Sequence, residues 1–144
     1  MLAMILGGAF WAAAAYHAAR VDPRVWREPE QADVRTAALT GFPFGTEVRR
    51  GLVRGTVLNT ANMVLLGAGL LCGGLWQRQG APDSGVLFWG VLVCVGLVLV
   101  SVALGLAIIW FNVPKRLVPP HMRNEAGLVT RKLRDLRVRH QHRG

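Results

Sequence analysis

The chain has 144 residues, of which 52% are hydrophobic and only 17% charged, and its formal net charge is +9. The charged fraction lies below the roughly 25% that is usual for soluble domains, and the hydrophobic residues are concentrated in three long uncharged runs. This composition argues against an ordinary soluble domain and favours an integral membrane protein.

The predicted fold class is an all-α integral membrane protein with three transmembrane helices and a short basic C-terminal helix. The second and third transmembrane helices are expected to form an antiparallel hairpin. In chain order the predicted segments are transmembrane helix 1 (1–19), a cytoplasmic loop (20–50), transmembrane helix 2 (51–77), an external loop (78–85), transmembrane helix 3 (86–113) and a basic cytoplasmic tail (114–144).

The first run, residues 1–19, differs from a cleavable signal peptide in where its basic residues lie. Such a peptide carries basic residues before its apolar core, whereas here Arg20, Arg24 and Arg27 follow the core. We therefore expect an uncleaved anchor with its amino end outside. Residues 20–50, with three prolines, are too short to bury a core of their own, and are expected to lie on the membrane or on a partner.

The entry to the second helix is marked by Gly45, which suits a turn, followed by Thr46 and Glu47 as a helix start. Three arginines lie just after this start, and their long side chains are expected to reach the lipid headgroups. These residues are Arg49, Arg50 and Arg54.

One face of the second helix is rich in amide and small side chains. Asn59, Asn62, Gly69 and Gly73 share this face, because their spacing follows the helical repeat. Ser101 and Gly105 occupy a similar face of the third helix. Small and amide residues of this kind pack membrane helices together. The alternative is a ligand face, because each asparagine amide offers several hydrogen-bonding groups.

The connection between the second and third helices contains Gly80, Pro82 and Gly85, which are typical of turns. Trp76 and Trp89 flank this connection, and we expect them in the outer aromatic belt of the membrane. The third helix should end at Val113, because the following proline disfavours further helix.

The tail is expected to restart a helix with Asn124 as its cap and Glu125 in its first turn. A narrow apolar stripe follows, formed by Val129, Leu133, Leu136 and His140. The other faces are basic and are predicted to bind anionic lipid headgroups, although the stripe could equally pair with a partner helix. The basic residues are Arg131, Lys132, Arg134, Arg137 and Arg139.

The distribution of basic residues predicts the orientation in the membrane. Seven Lys and Arg residues lie between the first and second runs and nine follow the third, whereas only Arg78 lies between the second and third. By the positive-inside rule, the amino end is outside and the carboxyl end is cytoplasmic. The arginine-rich composition favours a bacterial inner membrane, and the same distribution argues against nucleic acid as the partner.

No catalytic motif is present in the sequence, and no cofactor or metal site is predicted. Cys72 and Cys94 lie in apolar surroundings and are expected to be free. The chain is therefore predicted to be a non-enzymatic accessory or assembly subunit, with a membrane protein or a second copy as partner. An oligomeric transporter or channel lined by Asn59 and Asn62 is the alternative. A weaker alternative is a membrane enzyme that uses residues in or near the loops, namely His17, His121, Glu28, Glu30 and Asp33.

Overall fold

The computed structural model describes residues 1–41, 43–80 and 85–141, with side chains described as far as Val138. These residues form helices and turns, with no strand among them. A π-helical turn, His17–Val21, joins the first two helices. The helices are α1 (Leu2–Tyr16), α2 (Asp22–Arg27), α3 (Pro29–Ala38), α4 (Thr46–Arg54), α5 (Thr56–Gln79), α6 (Val86–Phe111) and α7 (Leu128–Gln141).

Three helical stretches are long and apolar enough to cross a membrane. They cover Leu2–Arg27 (26 residues), Thr56–Gln79 (24 residues) and Val86–Phe111 (26 residues). Each exceeds the roughly 20 residues that the hydrocarbon core of a bilayer requires. The predictions of an all-helical chain and of three such helices are confirmed.

The predicted helix start at Thr46 is also confirmed, because α4 begins there with Gly45 at its N-cap. The continuous helix that was expected to follow is divided in two. Helix α4 ends at Arg54, and Gly55 adopts a non-helical conformation (φ −86°, ψ 19°) before α5 begins. Glycine is a weak helix former, so a break in the helix at this position costs little free energy.

The chain divides into two compact units. The first unit contains residues 1–22 and 57–103, and the second contains residues 23–56 and 104–144. Each unit therefore combines segments that are distant in the sequence, and each is described separately below.

Glycines bring the helices of the first unit into close contact. An added Cβ at Gly7 of α1 would lie 2.9 Å from Leu71 Cγ of α5, and one at Gly74 would lie 3.0 Å from Met4 Cγ. On another side of α5, an added Cβ at Gly69 would lie 3.3 Å from Cys94 Cβ of α6. Helix α5 thus packs against both α1 and α6 through positions where a larger side chain would not fit.

The second unit has its own buried core. Val25, Ile108, Val118 and Met122 are at most 1% exposed. Gly51 of α4 packs against α6, since an added Cβ there would lie 2.7 Å from Ile109 Cγ1. The end of α6 is thereby held against α4 within this unit.

The start of the C-terminal helix differs from the prediction. Helix α7 begins at Leu128 rather than after Asn124. Residues 123–125 instead form a turn and a bend, and the Glu125 carboxylate accepts hydrogen bonds from two arginine side chains of α4.

Candidate functional site

A cluster of hydrogen-bonded charged side chains lies in the second unit, around the carboxylate of Glu125. Arg50 donates two hydrogen bonds to it, from Nε to Oε2 at 2.9 Å and from Nη2 to Oε1 at 2.7 Å. Arg54 donates from Nη2 to Oε2 at 2.6 Å. The Arg54 side chain is only 1% exposed. A fully buried guanidinium is tolerated only when it is paired with an opposite charge, and Glu125 supplies that charge.

This geometry changes the acid–base properties of both partners. Burial by itself would raise the pKa of Glu125, but the hydrogen bonds and positive charges of Arg50 and Arg54 outweigh it and hold that pKa below its ordinary range. The hydrogen bond to Glu125 likewise raises the pKa of Arg50 above its ordinary value. Both groups are therefore firmly ionised near neutral pH.

Asn112 fixes the backbone that carries Glu125. It lies one residue after α6 in a left-handed conformation (φ 58°), which asparagine tolerates better than most residues. Its Nδ2 donates to the carbonyl oxygens of Met122, Arg123 and Glu125 at 3.1, 3.2 and 2.7 Å. One buried amide thus ties the end of α6 to the turn that presents Glu125.

Two further ion pairs extend this cluster to the surface. Arg50 Nη1 lies 3.1 Å from Asp33 Oδ1 of α3. Arg131 Nη1 of α7 pairs with Glu47 Oε1 of α4. Helices α3, α4 and α7 are thereby connected by charged side chains within the second unit.

A shallow groove of ≈ 560 Å³ lies beside these ion pairs. It is lined by three threonines, Thr36, Thr40 and Thr46, together with the paired residues and Arg49. The Nε of Arg49 is buried and has no hydrogen-bond partner in the described part of the chain. Hydroxyl groups and a guanidinium could hold a small polar or anionic group here.

The prediction that Arg49, Arg50 and Arg54 all reach the lipid headgroups is wrong for two of them. Arg50 and Arg54 point to Glu125, and Arg54 is buried within the second unit. The physical reason is that the Glu125 carboxylate, brought from a distant part of the chain, accepts hydrogen bonds from both guanidinium groups and supplies the counter-charge that the buried Arg54 needs.

The basic residues that were predicted to bind the membrane surface lie along α7. Lys132, Arg134 and Arg137 are exposed, whereas Arg131 is paired with Glu47. The Arg139 and His140 side chains lie outside the described part of the structure. Of the apolar stripe, Leu133 is 61% and Leu136 is 48% exposed, and Val129 is half-buried.

The predicted amide and glycine face of α5 has different environments along its length. Gly69 and Gly73 lie against Cys94 and Val91 of α6, with added Cβ atoms at 3.3 and 3.8 Å. Asn59 is exposed and Asn62 is half-buried. On α6, Ser101 is buried, while an added Cβ at Gly105 would meet no atom within 4 Å.

A second glycine face of α5 was missed by the sequence analysis. Gly67 packs against the indole of Trp11 and the backbone of Gly7, and Gly74 packs against Met4. The Trp11 Nε1 donates to the Val64 carbonyl oxygen at 3.2 Å. The seven-residue spacing of Gly67 and Gly74 was the available signal, because residues seven apart share a helix face.

The remaining candidate residues are placed as follows. Cys72 and Cys94 are free, as expected. His121 is half-buried in the second unit, and Glu28 and Glu30 are exposed. Among the described residues, no group of three or more His, Cys, Asp or Glu side chains could hold a metal ion.

Comparisons with family models, with curated proteins and with solved structures found no match.

Proposed function

We propose that this chain is a small non-enzymatic integral membrane protein that serves as an accessory or assembly subunit of a larger bacterial membrane complex. The observation that carries the membrane assignment is the surface of α6. Large apolar side chains are exposed along this helix, including Val93 (57%), Leu99 (65%) and Val102 (46%). No charged residue occurs from Val86 to Val113. Soluble monomers rarely expose so much contiguous apolar surface, whereas lipid covers it without cost.

The same proposal includes the arrangement of the spans. We propose that α5 and α6 form an antiparallel hairpin, a reading supported by the contacts of Gly69 with Cys94 and of Gly73 with Val91. The amino end is outside and the carboxyl end is cytoplasmic in the inner membrane, as the distribution of Lys and Arg indicates.

Reporter fusions test this topology. Fusions at Val34 and Gly144 are expected to report a cytoplasmic location, and a fusion at Asp83 an external one. Alkaline phosphatase and a fluorescent protein, which are active on opposite sides of the membrane, give complementary signals at each position. External phosphatase activity at Gly144 would refute the proposed orientation.

The accessory role is supported by α7, which is held to α4 through Arg131 and Glu47. Beyond this pair it exposes an apolar stripe containing Leu133 and Leu136 between basic side chains. Because α7 is already held to α4, its exposed apolar stripe is available to pack against a helix of a partner subunit. The basic faces suit anionic lipid headgroups at the cytoplasmic surface.

Isolation of the full chain from its own membranes tests the accessory role. In mild detergent, we expect the wild-type protein to co-migrate with a stoichiometric second membrane protein. Leu133→Ser with Leu136→Ser should release this partner without unfolding the chain, because both side chains are exposed. Lys132→Ser with Arg134→Ser is the matched control, since it removes charge from α7 and leaves the stripe intact. A partner that stays bound to the leucine variant would contradict the assignment of the stripe.

The second candidate function is the oligomeric transporter or channel, which the surroundings of Asn62 favour. Its Oδ1 is buried and has no hydrogen-bond partner among the described residues, and Asn59 is exposed on the same face. A polar path between copies could use both amides. Two results would favour this function over the accessory role. The protein would be isolated as a homo-oligomer without a second protein, and it would conduct a solute flux that Asn59→Ala and Asn62→Ala abolish.

A further inference from the structure

The groove beside the ion pairs of the second unit contains one positive charge that those pairs leave unmatched. Each carboxylate that lines the groove already has an arginine partner. The pairs are Asp33 with Arg50, Glu47 with Arg131, and Glu125 with Arg50 and Arg54. Arg49 lines the same groove but takes part in none of the ion pairs among the described residues. The charge of Arg49 is therefore available to a ligand.

The guanidinium of Arg49 lacks an acceptor as well as a counter-charge. Its Nε is buried and has no hydrogen-bond partner among the residues that the structure describes, whereas the residue as a whole is half-buried. In most proteins a buried polar atom has a partner, and a charged donor without one is more costly than a neutral donor. An anion in the groove would supply the charge that this part of the chain does not.

Hydroxyl groups add further hydrogen-bond donors to the groove, which is lined by Thr36, Thr40 and Thr46. The Thr36 hydroxyl donates to the Ala32 carbonyl oxygen at 2.8 Å, so its proton is already used. Thr40 and Thr46 are exposed, and a threonine hydroxyl can donate to a ligand. The groove thus offers a ligand one guanidinium and two hydroxyl donors.

The arrangement of these donors favours a phosphate group. Thr40 lies in the 3-10 turn Leu39–Gly41 that follows α3, whereas Thr46 and Arg49 lie in α4. A phosphate has oxygens in several directions and can accept from both segments at once, and arginine binds it through strong charge-assisted hydrogen bonds. The groove volume of ≈ 560 Å³ falls within the roughly 300–1,000 Å³ of small-molecule sites, which leaves room for the group that carries the phosphate.

The position of the groove along the chain brings it close to a predicted membrane span. Arg49 lies seven residues before α5 begins at Thr56, which corresponds to about 10 Å at the helical rise. The headgroup region extends roughly 5–8 Å beyond the hydrocarbon core on each side of a bilayer. Lipid phosphates are therefore abundant near this part of the chain.

We propose that this groove binds a phosphate group, with Arg49 as its counter-charge and the hydroxyl groups of Thr40 and Thr46 as additional donors. A phospholipid headgroup and a soluble phosphate ester are the two sources of this chemistry. The site lies entirely within the second unit and is independent of the accessory role proposed above.

Thermal unfolding of the full chain in non-ionic detergent tests the site, with inorganic phosphate and a short-chain phosphatidylglycerol as probes. A probe that binds only the folded state should raise the unfolding midpoint, relative to chloride at the same pH and ionic strength. Arg49→Gln should weaken this binding about tenfold or more, because a charge-assisted hydrogen bond is lost. Arg27→Gln is the matched control, since it removes an exposed arginine outside the groove, and should bind like the wild type.

The threonines provide a second, independent set of variants. Thr40→Val and Thr46→Val should each weaken the binding about 2–10-fold, because each removes a neutral hydrogen bond. Thr36→Val is their control and should bind like the wild type, since its hydroxyl already donates to Ala32. In chloride, Arg49→Gln should unfold at the wild-type midpoint, because no ion pair is lost. A probe effect that is equal in the wild type, Arg49→Gln and Thr40→Val would overturn the proposal, as would a midpoint that neither probe raises.

The two probes also distinguish the sources of the phosphate. A rise given by inorganic phosphate and weakened in Arg49→Gln identifies a soluble phosphate ester. A lipid headgroup is identified if phosphatidylglycerol raises the midpoint where inorganic phosphate does not, and if Arg49→Gln weakens that effect. Diacylglycerol of the same chain length lacks the phosphate and should have no effect, so a rise with diacylglycerol equal to that with phosphatidylglycerol would contradict a phosphate site.

Discussion

Replacement of Glu125 by alanine is expected to destabilise the second unit by about 3–5 kcal/mol, because it leaves the buried guanidinium of Arg54 without its counter-charge. The Arg54 side chain is 1% exposed and donates to Glu125 Oε2 at 2.6 Å, so water cannot take the place of the carboxylate. Equilibrium unfolding in detergent, followed by tryptophan fluorescence, measures the loss.

Two controls separate this effect from a general effect of removing a carboxylate. Asp135→Ala removes an exposed carboxylate of α7 and should change stability by less than about 0.5 kcal/mol. Asp33→Ala breaks the pair with Arg50 at a position that is 65% exposed, and should cost about 1 kcal/mol or less. If Glu125→Ala is no more destabilising than Asp135→Ala, the cluster does not stabilise the unit.

A compensating variant tests the mechanism itself. Combining Glu125→Leu with Arg54→Met removes both buried charges and should restore much of the lost stability, because a buried ion pair can be replaced by packed apolar side chains at little cost. Arg50 would then retain Asp33 as its partner.

The pH dependence follows from the lowered pKa of Glu125. A carboxylate whose pKa is lower in the folded than in the unfolded state stabilises the fold fully above its unfolded pKa, which is about 4.3. The contribution is lost as the pH falls through the folded pKa. The stability of the wild type should therefore fall below about pH 4.5, and Glu125→Gln should lack that part of the decrease.

The sequence was sufficient for the long helices and insufficient for this cluster, and the reason is the range of the interactions. Uncharged runs dictate helices α5 and α6, because a backbone in an apolar environment must satisfy its hydrogen bonds locally. The pairing of Arg50 and Arg54 with Glu125 joins residues 75 and 71 positions apart. Arginines next to an apolar run have the same pattern whether they bind headgroups or a distant carboxylate.

Asn112 is a residue whose type alone favours a helix end at this position. It lies at the end of the third apolar run, directly before Val113 and Pro114, and asparagine is one of the few residues that adopt a positive φ without large strain. Its conformation (φ 58°) ends α6. Which three carbonyl groups its amide would bind depends on the path of the tail, and that path is not encoded locally.

The packing of the first unit predicts the second large effect, a graded response to leucine at glycine positions. Gly67→Leu should be the most disruptive, at about 3 kcal/mol or more, because an added Cβ already collides with the Trp11 ring. Gly69→Leu should follow, since its Cβ would lie 3.3 Å from Cys94 Cβ. Gly73→Leu should reduce the stability least of the three, since an added Cβ there would lie 3.8 Å from Val91 Cγ2, which is an ordinary contact distance.

Gly8→Leu is the matched control in the same unit, because an added Cβ there meets no atom within 4 Å. Leucine is also a better helix former than glycine by close to 1 kcal/mol, so this variant should be neutral or slightly more stable. Asn62→Ala should have a small effect on assembly, since hydrogen bonds between membrane helices average about 0.6 kcal/mol.

Detergent stability and complementation of a deletion strain, measured for all five variants, distinguish packing from ligand binding on α5. If the glycines are packing positions, the losses follow the order Gly67, Gly69, Gly73, and activity falls in parallel with the assembled protein. If the face containing Asn59 and Asn62 lines a path instead, Asn62→Ala abolishes activity while the protein remains fully assembled. Normal assembly of both Gly67→Leu and Gly69→Leu would contradict the packing role, because a leucine side chain does not fit at either position while the helices remain in contact.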